Sequence, residues 1–263
     1  MLGAHMIGVF DSGYGGLSVL KTLIEAFPDR DFMYLGDNAR APYGNRSADI
    51  ITRYTAEALE WLFYKGAGMT VLACNTASAE ALPRLSAHFL THTYPEKKVV
   101  GVIEPVAHFV ASHTAGDIGV IATKSTIRSG VYGRALAGTK RKVYEVATPL
   151  LVPFVEDGRV EGPLVRAMLA EYLDPLARAG VTTLILGCTH YRFLEPEIRR
   201  LYPTFTIVDA AAVMPAELAT LFSHEKKSRR GSVSFYTTDE EDGFARFVEQ
   251  HLDLSIRPER IQL

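Results

Sequence analysis

Ile7-Gly-Val-Phe-Asp-Ser-Gly-Tyr-Gly-Gly16 reads as a buried strand that runs into a glycine-rich turn. Residues 17–27 then carry apolar side chains at helical spacing, and residues 32–36 are apolar again, so the chain opens as a β-α-β unit. Working outward, Ser47 is placed to cap a helix whose Ile51, Tyr54, Ala58 and Leu62 recur at helical intervals, with Gly66 placed to end it. Further strands are predicted at 69–73, 99–103, 117–122, 142–146, 182–186, 205–208 and 233–236. These runs are apolar throughout rather than alternating, the pattern of parallel sheets covered on both faces, so the fold class is α/β.

The opening strand has an echo. Ile7-Gly-Val-Phe-Asp-Ser12 is matched by Ile118-Gly-Val-Ile-Ala-Thr123, and each is followed at a broadly similar interval by a strand that ends in a cysteine, Cys74 or Cys188. Two related α/β halves place a ligand site between them, at the carboxyl ends of their strands.

Composition narrows the functional classes. The 263 residues are 48% hydrophobic, and 28 Lys and Arg against 30 Asp and Glu give a formal net charge of -2. No basic field recommends nucleic acid, no basic amphipathic stretch recommends a membrane surface, and no apolar run is long enough to span one. The expected partner is a small molecule, and the expected location is the cytoplasm. Gly3 to Met6 reads as the remnant of a cleaved tag, with folding expected to begin at Ile7, and the charge run from His224 to Gly231 reads as a solvated loop. Two cysteines in a cytosolic chain are expected to be free thiols.

Thr70-Val-Leu-Ala-Cys74-Asn-Thr-Ala-Ser78 and Thr183-Leu-Ile-Leu-Gly-Cys188-Thr-His-Tyr191 share one grammar: apolar strand, small residue, cysteine, then polar residues that open a helix. Amides at a helix amino end stabilise a thiolate, so both thiols are expected to titrate nearer neutrality than a free cysteine. A pair in matching contexts weighs against the alternative of two small apolar core residues. The turn Asp11 to Gly16 offers amides to an anionic group, yet it fails the dinucleotide fingerprint because Ser18 stands at the third glycine position. Pro42-Tyr43-Gly44 reads as a turn. Glu156 is compatible with an exposed loop or with a pocket, and His190 with a proton relay or with a helix-terminal histidine.

Taken together, Phe10-Asp-Ser-Gly-Tyr-Gly-Gly16, Pro42-Tyr-Gly-Asn45, Ala73-Cys-Asn-Thr-Ala77 and Leu186-Gly-Cys-Thr-His-Tyr191, in that order, closely resemble the glutamate racemases of the aspartate/glutamate racemase family. The resemblance spans residues 7 to about 210. It implies a metal-free enzyme without a cofactor, assembled as a homodimer, that interconverts L- and D-glutamate for peptidoglycan synthesis. Cys74 and Cys188 match the paired acid/base thiols, Asp11 and His190 their proton-handling neighbours, and Glu156 a further pocket carboxylate. Ser12, Pro42, Tyr43, Gly44, Asn75, Thr76 and Thr189 match the groups that hold substrate, together with Asp11 and His190. It also implies a first domain of residues 1–98 plus 209–263 and a second of 99–208, with the active site in the cleft between them. Ala210 stands where relatives often carry serine, so no role is assigned to it. The competing readings are an aspartate racemase, a nucleotide-binding enzyme, a cysteine hydrolase using Cys188 and His190, and a non-catalytic amino-acid-binding protein.

Overall fold

A computed structural model describes residues 6–222, 230–252 and 256–263; the tag remnant before Met6 and most of the charge run 224–231 lie outside the described residues. The strands are β1 (Met6–Asp11), β2 (Asp31–Gly36), β3 (Met69–Leu72), β4 (Lys98–Gly101), β5 (Asp117–Ala122), β6 (Val143–Ala147), β7 (Val181–Gly187), β8 (Thr206–Asp209), β9 (Val233–Thr237) and β10 (Glu259–Arg260). They form two wholly parallel sheets, ordered β10-β9-β2-β1-β3-β4 and β6-β5-β7-β8. The order β2-β1-β3-β4 in the first sheet is the order β6-β5-β7-β8 in the second. The echo between β1 and β5 is therefore an equivalence of position, and the protein is a two-domain α/β fold with a β9-β10 extension on the first domain.

Apolar strands follow from covering both faces. Ile7 and Val9 of β1, with Ile118 and Val120 of β5, join a central core built on the helices Leu17–Ala26, Ile103–His113 and Ala210–Leu221. Phe10, the neighbour of Val9, faces the opposite way into a core roofed by Ile51, Leu59 and Leu62 of the helix Ala48–Tyr64. In the second sheet Leu184 and Leu186 pack outward under Val165, Leu169 and Leu173 of the helix Pro163–Arg178, while Ile185 faces the centre. The expected capping of Ala48–Tyr64 is present: Ser47 Oγ accepts the Ile50 amide at 3.4 Å, and Gly66 follows in the left-handed region at φ 99°.

Two expectations need correction. The strand expected at 99–103 ends at Gly101, because the Val102 amide donates to Ser78 Oγ at 3.2 Å and Ile103 already begins a helix. β4 pairs with β3 through Gly101. β1 starts at Met6, paired with Asp31, and β10 is two residues long, too short to show a sequence period.

Candidate active site

The two cysteines occupy equivalent places, one residue or two past the ends of β3 and β7, and both are buried free thiols. They face one cavity, which is also lined by Ser12, Gly13 and the 41–44 segment from the first domain.

Cys74 is the cap of the helix Asn75–Glu80, and its Sγ accepts the Ala77 amide at 3.5 Å. Ser12 Oγ lies 3.4 Å away on the other side. The expectation of a lowered pKa fails at this thiol. Burial, then the carboxylate of Asp11, push it up to about 12, against the smaller opposing pull of Ser12 and the Ala77 amide. A single long N–H···S contact does not offset the loss of water around a fully enclosed sulfur. Cys74 therefore rests as a thiol.

The second thiol has different company. Cys188 is followed by a short 3-10 segment, Thr189–Leu194, and not by an α-helix. Its Sγ stands 3.8 Å from His190 Nδ1, while His190 Nε2 meets Glu156 Oε1 at 3.1 Å. Burial pulls the imidazole down, but its contacts with Cys188 and Glu156 outweigh that and raise it to about 10, so His190 is cationic at neutral pH. Glu156, an exposed residue, ends the helix Leu151–Glu156 at the rim of the cavity and pairs with His190, whose side chain is buried.

Asp11 is wholly buried and, alone among the expected site residues, does not line the cavity. It stands one layer behind, where Oδ1 accepts the Gly13 amide at 2.9 Å and Oδ2 accepts the Thr189 hydroxyl at 3.2 Å. Burial raises its pKa, opposed by His190, the amides of Gly13 and Gly16, and Thr189. Tyr43 presents no free hydroxyl: its OH donates to buried Asp37, which also accepts from Arg40 Nε at 2.7 Å and Thr238 Oγ1 at 2.9 Å. Asp37, an unremarkable acidic residue in the sequence, thus anchors the segment that follows the cis peptide Ala41-Pro42.

The cavity has two walls that touch. Thr76 Oγ1 is 3.0 Å from Thr123 Oγ1, and a Cβ on Gly44 would stand 2.6 Å from the Thr123 Cβ, so only glycine fits there. Thr123 and Val152 line the cavity and were missed in the sequence. For Thr123 a signal existed, because the echo aligns it with Ser12. Among the described residues no three His, Cys, Asp or Glu side chains converge as metal ligands, and no helix is long and apolar enough to cross a membrane.

Comparison with known proteins places the whole chain in a family. Residues 7–215 match the family model described as Asp/Glu/Hydantoin racemase. A glutamate racemase of Aquifex aeolicus (strain VF5) is 41% identical over 253 residues, covering 96% of each chain. The crystal structure of glutamate racemase isoform RacE1 from Bacillus anthracis superposes with a TM-score of 0.90 at 35% identity, covering 98% of this chain and 97% of the other. A glutamate racemase from Francisella tularensis, solved in complex with D-glutamate, gives 0.87 at 29% identity over 98% of both chains.

Proposed function

The chain belongs to the Asp/Glu/hydantoin racemase family, and on that premise we propose that it interconverts L- and D-glutamate by a cofactor-independent, two-thiol proton transfer. One observation carries the reading: two buried free cysteines, at equivalent positions of two topologically equivalent sheets, face a single cavity. Inverting a carbon centre requires a proton to leave on one face and arrive on the other, and a reversible catalyst needs a group on each side that plays either part.

The electrostatics set the starting state. Cationic His190, held by Glu156, stands beside Cys188, while Cys74 begins with its proton. Cys188 takes the α-proton of L-glutamate as Cys74 delivers its own to the opposite face; for D-glutamate the roles exchange. Donors from Asn75, Thr76 and Thr123 surround the α-carboxylate and stabilise the carbanion. Ser12, Thr189 and, behind them, Asp11 hold the ammonium, and the main chain of Pro42, Tyr43 and Gly44 meets the side-chain carboxylate.

The division of the chain into residues 1–98 plus 209–263 and residues 99–208, a homodimer, a cytoplasmic location and a supply of D-glutamate to peptidoglycan synthesis belong to the same proposal. Sedimentation of the purified protein tests the dimer. The decisive assay incubates protein in heavy water with L-glutamate, and separately with L-aspartate, without added cofactor, followed by chiral chromatography and mass spectrometry. Newly formed D-glutamate should carry deuterium at the α-carbon. Product that keeps its original α-hydrogen, or faster turnover of aspartate, rejects the reading.

A further inference from the structure

Tyr132 lies in the helix Val131–Leu136 of the second domain, fully buried, and reaches between the two thiol-bearing strand ends. Its hydroxyl donates to Asn75 Oδ1 at 2.7 Å, across 57 residues of sequence and from one domain to the other. Its ring packs on Gly187, the residue before Cys188: a Cβ at Gly187 would stand 3.1 Å from Tyr132 Cε2 and 3.0 Å from the Ile121 carbonyl. Glycine at 187 thus makes the room that lets this ring pass behind Cys188 and touch the neighbour of Cys74.

The consequence lies at the other end of the carboxamide. Asn75 is 3% exposed and lines the cavity, yet its Nδ2 has no hydrogen-bond partner among the described residues. A buried amide donor left unpaired is costly, and such groups are kept where something else pairs with them. With Oδ1 tied to Tyr132, the amide cannot turn over without losing that bond, so the NH₂ group remains the end offered to the cavity. Burial, followed by the negative charges near it, of which Cys188 is the largest, raises the pKa of the Tyr132 phenol, so the group stays a donor.

Resting on the racemase reading above, we propose that Tyr132 is a positioning residue that locks the Asn75 carboxamide with its NH₂ toward the substrate α-carboxylate, linking the second domain to the carboxylate cradle of the first. Without the phenol, the amide populates both orientations, and the flipped one presents an oxygen to a carboxylate.

Tyr132→Phe keeps the ring against Gly187 and removes only the hydroxyl. The expected result is a rise of about tenfold in KM for both enantiomers of glutamate, the scale of one hydrogen bond to a charged group, with a smaller change in kcat. A residue that acts through Asn75 must lose its effect when Asn75 is gone, so Tyr132→Phe in an Asn75→Ala background should leave KM where Asn75→Ala alone puts it. A purely structural role would add its cost in both backgrounds, and that outcome overturns the proposal, as does an unchanged KM in Tyr132→Phe. Should that variant fold poorly, the side-chain amide resonances of Asn75 in the unaltered protein give the same decision: they should shift on saturation with glutamate, and resonances that stay in place overturn it. Failure of the racemase reading itself would show separately, as absence of glutamate turnover in the unaltered protein.

Discussion

Gly15→Ala tests whether the first-domain turn and the Cys188 segment are fitted to each other. A Cβ at residue 15 would stand 2.2 Å from Thr189 Oγ1, 2.7 Å from His190 Nδ1 and 2.8 Å from Thr189 Cβ, where ordinary contact begins at 3.4 Å. Rotating the threonine removes the first clash but not the third, since Cβ does not move with χ1. The 189–190 backbone must therefore retreat by roughly the difference, about half an ångström to one ångström. That displacement breaks the Thr189 bond to Asp11 and moves His190 away from Cys188 or from Glu156. Overpacking of this kind costs about 1–3 kcal/mol of stability, and a misplacement near 1 Å costs about 100-fold in rate.

Gly66→Ala supplies the control, because Gly66 sits at φ +99° with nothing within 4 Å of an added Cβ. Its cost is backbone strain alone, about 1–2 kcal/mol, with no route to the cavity. Circular-dichroism assays of racemisation, paired with thermal melts, separate the two: both variants lose stability, and only Gly15→Ala loses turnover. The equilibrium constant of a racemisation is unity, so kcat/KM must fall equally from either enantiomer. Gly15→Ala retaining activity within about threefold of the unaltered protein would refute the fitted-contact argument.

Replacing either cysteine by serine raises the acid/base pKa far above neutrality, so racemisation should fall by orders of magnitude in both variants. On an analogue that loses a β-leaving group after one deprotonation, Cys74→Ser should keep activity toward the L-form and Cys188→Ser toward the D-form; equal losses on both would reject one thiol per face. His190 is raised from 6.5 to about 10 by folding, so its contribution to stability is complete below pH 6.5 and is lost as pH rises through about 10. His190→Gln should flatten the fall in melting temperature between pH 6.5 and 9, while the loss above pH 9 remains, because the Cys74 thiol, raised from 9.0 to about 12, contributes stability that disappears there. An unchanged slope below pH 9 in His190→Gln would show that the imidazole is not held cationic.

What was legible in the sequence was what repeats locally. Apolar strands, caps at Ser47 and Gly66, and the cysteine that follows each of β3 and β7 are all signalled within a few residues of themselves. The echo of Ile7–Ser12 at Ile118–Thr123 even carried the second-domain hydroxyl of the site, although Thr123 was not drawn from it. What remained hidden depends on residues far apart in the chain. Glu156 and His190 are 34 residues apart, Thr189 and Asp11 are 178, and Tyr132 and Asn75 are 57. The thiol pKa expectation failed at Cys74 for the same reason: a cap is local and visible, whereas desolvation and the Asp11 charge arrive with the tertiary fold.

The two halves share a backbone plan and differ in how they treat their sulfurs. The first domain surrounds its cysteine with Ser12, the Ala77 amide and the Asp11 carboxyl, a setting that keeps the proton on. The second sets a histidine beside its cysteine and a glutamate beside the histidine, a setting that supplies positive charge. Asp11 and His190 act on each other across the boundary, and Thr189 bridges them by donating to Asp11 from the residue before His190. On the proposed two-thiol mechanism, a proton gained at one thiol and lost at the other is accompanied by small shifts in a continuous polar path, and the same site begins from either hand of its substrate.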